Sequence, residues 1–337
     1  MHPAKLWTPR KDNAVQCGLC NHFCRIEEGE YGLCGVRVNE QGNLFTLVYD
    51  KIAAANVDPI EKKPLFHFIP GTWSFSIGTM GCNFACVFCQ NDSLSQGPKQ
   101  SHRVTGQSIT PEHIVRSALK NECQSISYTY SEPTIFFELM YDTLVLAMEA
   151  GLKNVLVSNG FMSTECLQKL GPYVHAINVD LKAFRDEFYK TYCQARLKPV
   201  LNNLKTIKDL GWWLEVTTLI IPGLNDSQDE LQELANFLIQ ESGPEVPWHI
   251  SRFHPAYQMQ NISPTPVSSL EMAYNIGKQT GLNYVYLGNV PGHNSESTLC
   301  PQCAEPVIKR RAFTLGKSNL HDGKCGHCGA HIAGMYQ

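Results

Sequence analysis

From Thr72 onward the chain alternates short β-rich runs with helical patterns, and this alternation limits the fold more than any other feature. The strand candidates are TWSFSIGT (72–79), QSISYTY (124–130), KNVLVSN (153–159), AINVDLK (176–182), WLEVTTLII (213–221), VPWHISRF (246–253) and the weaker NYVYLGN (283–289). Helix signals lie between them. Thr110-Pro111-Glu112 is an N-cap followed by proline in the first turn. Leu197, Val200, Leu201, Leu204, Ile207 and Leu210 recur at helical spacing, and Ser227 to Glu230 reads as a capping box before an apolar face. Strands that recur with helices between them make βα units and a parallel sheet. Six or seven units are too few for a closed eight-stranded barrel, so an α/β fold with an open or partial barrel is expected. Its chemistry belongs at the carboxyl ends of the strands.

The residues flanking this region read differently. Residues 1–71 carry a cysteine group and a hairpin centred on NEQGN, residues 72–293 form the barrel, and residues 294–337 end in another cysteine group. Apolar residues make up 43% and charged residues 18% of the 337, which is a globular composition. A net charge of −3 gives no electrostatic reason to expect nucleic acid as a partner. No apolar run approaches the ~18 residues of a membrane span. The N-terminus has no signal-peptide core, so a soluble, cytoplasmic protein is expected.

Fourteen cysteines are many for such a compartment, and metal binding accounts for them better than disulfides. Cys123, Cys166 and Cys193 stand alone and read as small buried hydrophobes. The other eleven fall into three groups. Cys82, Cys86 and Cys89, at CxxxCxxC spacing, follow the first barrel strand directly. Three thiolates on a short loop can hold three corners of a cubane iron–sulfur cluster and leave its fourth iron to an exogenous chelator. A zinc knuckle is the competing reading, although zinc prefers four closed ligands.

The motif in this strand context resembles the radical S-adenosylmethionine (SAM) superfamily. The resemblance implies a partial (β/α)6 TIM-like barrel, a [4Fe–4S] cluster and SAM as cofactors, and reductive cleavage of SAM to methionine and a 5′-deoxyadenosyl radical. It also implies an external one-electron donor of the flavodoxin or ferredoxin type. Several strand-end residues match the superfamily's cofactor contacts. YSEP resembles the GGE segment, with its glycines replaced by Tyr130 and Ser131, so the amino-group role rests on Glu132. VSNG, with Ser158 and Asn159, is similar to the TNG of pyruvate formate-lyase activating enzymes. Asp180 and Lys182 match their DxK, and SRFHP, with His254, is similar to the FH segment near adenine. Thr217, on the fifth strand, joins this set. DPIEKKPLFHFIPG, GTMGCNFACVFCQN, TTLIIPGLNDS, PWHISRFHP and YVYLGNVPG together resemble the AmmeMemoRadiSam-system radical SAM family. That resemblance covers nearly the whole chain and implies Memo-family and AMMECR-family partners.

Cys300, Cys303, Cys325 and Cys328 form two knuckles joined by an arm, close to a zinc-ribbon pattern, with structural zinc the leading reading. The Cys17, Cys20, Cys24 and Cys34 group accepts zinc, the first choice, or an auxiliary [4Fe–4S] cluster. KRRAF (309–313) reads as a solvated hairpin face. HFIPG (67–71) and YLGNVPGH (286–293) are the candidates for the substrate mouth.

The expected function is radical hydrogen abstraction from a peptide, protein or small molecule. The alternatives are a tRNA-modifying radical SAM enzyme and a non-catalytic iron–sulfur or zinc scaffold for electron transfer or docking.

Overall fold

The computed structural model describes residues 1–290 and 294–336. Its centre is an eight-stranded sheet made of β1 (Ala54–Pro59), β2 (Trp73–Gly78), β3 (Ser125–Tyr128), β4 (Lys153–Ser158), β5 (Ala176–Asp180), β6 (Trp213–Ile220), β7 (Trp248–Arg252) and β8 (Val285–Gly288), which lie side by side in chain order. Strands β2 to β8 are the seven candidates read from the sequence, and each pairs parallel with the next. The first strand, β1, lies antiparallel on the β2 edge, with Ala54 opposite Gly78 and Pro59 opposite Trp73. The periodicity missed it because five of its six residues are exposed or half-exposed rather than alternating.

Helices Pro111–Lys120, Phe137–Glu149, Thr164–Leu170, Leu197–Asp209, Gln228–Ser242 and Val267–Thr280 connect the strands. Thr110 caps the first by accepting the His113 N–H. Ser227 likewise accepts the Glu230 N–H, but the box does not close. The Glu230 carboxylate instead accepts the Phe184 N–H at 2.6 Å, tying the helix to the loop after β5.

Two small antiparallel sheets precede the barrel. The expected hairpin pairs Arg37–Glu40 with Asn43–Thr46. Gln41 (φ 54°) and Gly42 (φ 76°) both lie in the left-handed region, the geometry a two-residue turn needs to match strand twist. Leu6, Val15, Leu19, Ile26 and Val36 belong to the same continuous apolar core as the barrel. Arg37, 1% exposed, pairs with Glu138 inside it.

The C-terminal ribbon (Thr298–Leu299, Pro306–Arg311, Thr314–Ser318) has its own small core, which includes Cys300, Cys325, Val307, Ile308 and Ile332 and rests on Phe66, Tyr284 and Tyr286. Tyr284 immediately precedes β8, and the cavity between ribbon and barrel is lined by Gln124 and Lys153. That end of the ribbon therefore lies toward the amino ends of the strands, whereas its Arg310–Phe313 turn reaches a second cavity beside Ser251 and Gly288, at the carboxyl ends. Arg310 is not the solvated residue that KRRAF suggested. It donates to Thr298 at 2.7 Å and to the Phe66 carbonyl at 2.6 Å, and lies over the Phe66 ring, while Arg311 and Phe313 are exposed.

Candidate active site

Strand β2 ends at Gly78, and the loop after it carries Cys82, Cys86 and Cys89 to the carboxyl edge of the sheet. Gly81 (φ 102°) makes that approach possible. A Cβ there would stand 2.7 Å from Val36 Cγ1 and 3.2 Å from the Cys34 carbonyl oxygen. Cys82 Sγ accepts the Phe84 N–H at 3.3 Å, and Cys89 Sγ lies 3.1 Å from Ser95 Oγ. Burial raises the thiol of Cys89 above its ordinary value, and more so that of Cys82. Cys86 is pushed up by the Cys193 thiol beside it and by burial. Neutral thiols are therefore favoured until a cation takes the protons' place.

All three cysteines line a cavity of about 560 Å³, together with Ser131, Glu132, Ser158, Asn159, Asp180, Lys182 and Thr217. Six of the seven non-cysteine residues expected to bind cofactor thus meet at one place. The seventh, His254, is exposed just past β7 and is not among the cavity's lining residues. Cys193 sits behind the cluster loop. Its carbonyl accepts the Ala85 N–H at 2.9 Å, and it too is not among the lining residues. Cys123, Cys166 and Cys193 are all buried, as read, but Cys193 also touches the site.

Glu132 organises the cavity wall. One carboxylate oxygen accepts from the Thr134 N–H, the Thr134 hydroxyl and Ser158 Oγ, and the other accepts the Asn159 N–H at 2.8 Å. Burial raises its pKa against those four hydrogen bonds. Asn159 Nδ2 donates to Asn83 Oδ1 at 2.7 Å, which joins this wall to the cysteine loop. On the other side Lys182 Nζ pairs with Asp180 at 2.7 Å. Burial disfavours the ammonium, but Asp180 and the nearby thiols more than compensate and hold its pKa above the ordinary value. Thr217 is held by its bond to Asn178 at 2.8 Å.

Sequence reasoning missed a basic edge to this cavity. Lys62 and Lys63 line it, and both pair with Asp58, at 2.8 and 2.6 Å. Asp58 also accepts the Tyr130 hydroxyl at 2.6 Å. Burial works against its charge, but the lysines and the tyrosine outweigh burial and hold it well below the carboxylate range. The signal was present in DPIEKK, but without β1 nothing placed that run at the mouth. Tyr130 occupies a glycine position of the GGE pattern with φ 67°, and the bonds it makes to Asp58 and from Asn91 hold that strained backbone in place.

HFIPG lies elsewhere. His67 is fully buried between Ala333 and Tyr286, and Ile69 and Pro70 line the cavity under the C-terminal ribbon. The physical reason is the Glu215 carboxylate, which accepts the Phe66 and His67 N–H groups and pairs with His249 at 2.6 Å, drawing the segment into the barrel. Tyr286 to Val290 of the other mouth candidate line a second cavity, of about 860 Å³, which shares Lys62, Gln90, Thr217 and Ser251 with the first. Pro291, Gly292 and His293 lie outside the described residues.

The donor set fits a cluster with one open corner. Three thiols line a cavity of nucleoside size, and the buried Ser131 Oγ has no partner. The C-terminal quartet is different. All four of its ligand atoms lie within 4.8 Å of one another, with Cys300 and Cys328 sulfurs 3.6 Å apart and those of Cys303 and Cys325 3.8 Å apart. A tetrahedral ion with metal–sulfur bonds of ~2.3 Å sets its ligands about 3.8 Å apart, so this is a four-cysteine site for a single metal ion.

Known proteins agree with this geometry. The chain is 45% identical to an uncharacterized protein of Methanocaldococcus jannaschii over 334 residues, covering 98% of this chain and 99% of the relative. It is 21% identical to the pyruvate formate-lyase-activating enzyme of Clostridium pasteurianum over 47% of this chain and 66% of that one. The solved structure of Streptococcus suis SuiB bound to S-adenosylmethionine shares the fold, with a TM-score of 0.51 at 15% identity over 68% of this chain and 53% of that chain. Residues 76–238, from within β2 past the cysteine loop to the helix after β6, match the radical SAM superfamily, and this chain belongs to it.

Proposed function

We propose that Cys82, Cys86 and Cys89 hold a site-differentiated [4Fe–4S] cluster at which SAM is reductively cleaved, and that a hydrogen is then taken from a peptide, protein or small-molecule substrate. The observation that carries this reading is the convergence of three thiols, the Glu132–Ser158–Asn159 wall and the Asp180–Lys182 pair on one cavity at the strand ends. The bound cluster and SAM supply the one-electron cleavage that yields methionine and a 5′-deoxyadenosyl radical.

The chain's own residues bind and orient. Cys82, Cys86 and Cys89 would hold the cluster by three thiolates, and the cavity they line would leave its open position to SAM. Ser131 Oγ, which has no partner, and the less occupied oxygen of Glu132 would accept from the N–H groups of the SAM amine. Asp180 and Lys182 would provide a carboxylate and an ammonium for the ribose and carboxylate of SAM. The second cavity, sharing Thr217 and Ser251, is the substrate chamber of this reading.

The further parts of the reading rest on resemblance and spacing. These are zinc in the C-terminal quartet, a flavodoxin- or ferredoxin-type donor, a cytoplasmic location, and membership of the AmmeMemoRadiSam system with Memo-family and AMMECR-family partners. Co-purification from a native host tests the partners.

The central test is anaerobic reconstitution with iron, zinc and sulfide counting, then incubation with SAM and dithionite. The wild type makes 5′-deoxyadenosine, and Cys86→Ala makes none. A verified [4Fe–4S] protein that binds SAM without yielding 5′-deoxyadenosine sinks the reading.

A further inference from the structure

The N-terminal cysteines do not stand apart from the active site. His22, between Cys20 and Cys24, donates from Nε2 to the carbonyl of Asn83, the residue after Cys82, at 2.8 Å. Cys34 lies on the other side of the same loop, its carbonyl against Gly81. The Asn21 N–H donates to the Phe161 carbonyl at 3.0 Å, and Cys20 bridges to Met162, so the group also grips the segment that follows Ser158–Gly160. Lys99 Nζ donates to the Phe84 carbonyl on this loop at 2.5 Å.

The outer side reaches solvent. Cys20 and Cys24 are half-buried, and Phe23 and Leu33, each next to a cysteine, are 48% and 60% exposed. A site with one face on the catalytic loop and one on solvent is arranged to conduct.

Two observations separate a cluster from a structural ion. Among the described residues, the group with every ligand atom within 4.8 Å is the C-terminal quartet. The N-terminal quartet is more open, like the catalytic triad. A single zinc gathers four thiolates onto one centre, whereas a cubane seats each on its own iron and spreads them. The N-terminal module also needs no metal to supply a core, because its apolar residues are continuous with the barrel core. Arg37 Nη1, buried and 3.5 Å from Cys17 Sγ, is the kind of donor to sulfur that tunes a cluster's potential.

We propose that Cys17, Cys20, Cys24 and Cys34 hold an auxiliary [4Fe–4S] cluster that relays single electrons to the cluster at Cys82, Cys86 and Cys89. A low-potential one-electron carrier, a protein-bound flavin or iron–sulfur centre, is oxidised by one electron. The auxiliary cluster takes that electron and passes it inward past His22 and Asn83, returning to its oxidised state, and no bond is made or broken at the relay. The relay role rests on the proposed function; the presence of the cluster does not.

The first test uses the full-length Cys82→Ala/Cys86→Ala/Cys89→Ala variant, reconstituted anaerobically. It should keep ~4 irons per chain and show a dithionite-reduced [4Fe–4S] signal that SAM leaves unmoved, against ~8 irons in the wild type. Anomalous diffraction from wild-type crystals at the iron and zinc edges makes the test independent of that variant's folding. An iron peak among Cys17, Cys20, Cys24 and Cys34 supports the proposal, and a zinc peak there overturns it. For the relay, reduction of the catalytic cluster by reduced flavodoxin should slow at least tenfold in Cys17→Ala/Cys34→Ala, and equal rates overturn it. Two clusters in a wild type that fails to cleave SAM would sink the proposed function and leave the auxiliary cluster standing.

Discussion

The two flanking four-cysteine groups use the same residue type to opposite ends. The N-terminal group shares its apolar core with the barrel, is anchored by the buried Arg37–Glu138 pair, and touches the catalytic loop through His22 and Cys34. The C-terminal group has a separate small core in which Cys300 and Cys325 are themselves members, and that core rests on Phe66, Tyr284 and Tyr286, with only the Arg310–Phe313 turn of the ribbon reaching the second cavity. A module that draws on a large neighbouring core does not need a metal to fold, whereas one with a small core does. The proposed contrast between the groups is therefore between a metal that serves chemistry and a metal that serves structure.

The sharpest way to break this contrast is to remove each metal in turn. Cys300→Ser/Cys325→Ser should cost the ribbon most of a structural-ion binding energy, on the order of 10 kcal/mol, and expose residues 298–325 to protease while the barrel survives. Cys17→Ser/Cys34→Ser should leave its strands protected. Equal loss of protection in both modules would end the distinction.

Next is the anchor. Arg37→Met leaves the Glu138 carboxylate buried and unpaired, for an expected loss of about 3–5 kcal/mol in denaturant unfolding. Arg37→Met/Glu138→Leu should recover most of it. A single-variant loss under about 1 kcal/mol would show that the N-terminal module is not held by the core pair.

The C-terminal side should carry an acid sensitivity at His67. Its Nδ1–H donates to the Ala333 carbonyl and its Nε2 accepts from Tyr286, which fixes the neutral ring. Burial lowers its pKa to about 4 from an ordinary value near 6.5. The unfolded chain then binds the extra proton first. The stabilisation is full above about pH 6.5 and shrinks as pH falls toward 4, by up to about 3 kcal/mol. Denaturant midpoints across that window should fall in the wild type and fall less in His67→Gln; parallel curves would contradict the assignment.

The smallest effect sharpens the N-terminal contact. Asn21 Nδ2 donates to the Met162 carbonyl at 2.6 Å, and Asn21→Ala should cost about 1 kcal/mol. It should also speed amide exchange near Phe161 more than near Ile308. No difference between the two regions would mean the contact does not hold the loop.

Much of the site was legible because its signals are local. Cysteine spacing after a strand, Glu132, Ser158, Asn159, Asp180 and Lys182 all sit at or just past strand ends, Thr217 lies beside Asp180 on the next strand, and parallel strands bring these positions together. His254 follows a strand equally closely but is exposed, because strand-end position does not fix which way the next loop turns. Lys62, Lys63 and Asp58 were missed because the strand carrying Asp58 has an irregular burial pattern. HFIPG was misplaced because its position depends on Glu215, whose partners His67 and His249 lie 148 and 34 residues away in sequence.

By itself the sequence determined the βα order and the three cysteine groups, since each is written in spacings of a few residues. Only the tertiary structure decided which side of the barrel each flanking group occupies. Those positions are set by contacts between residues far apart in the chain: His22 with Asn83 across 61 residues, Arg37 with Glu138 across 101 and Arg310 with Phe66 across 244. Buried polar partners must find each other for the fold to close, and no local pattern records which ones do.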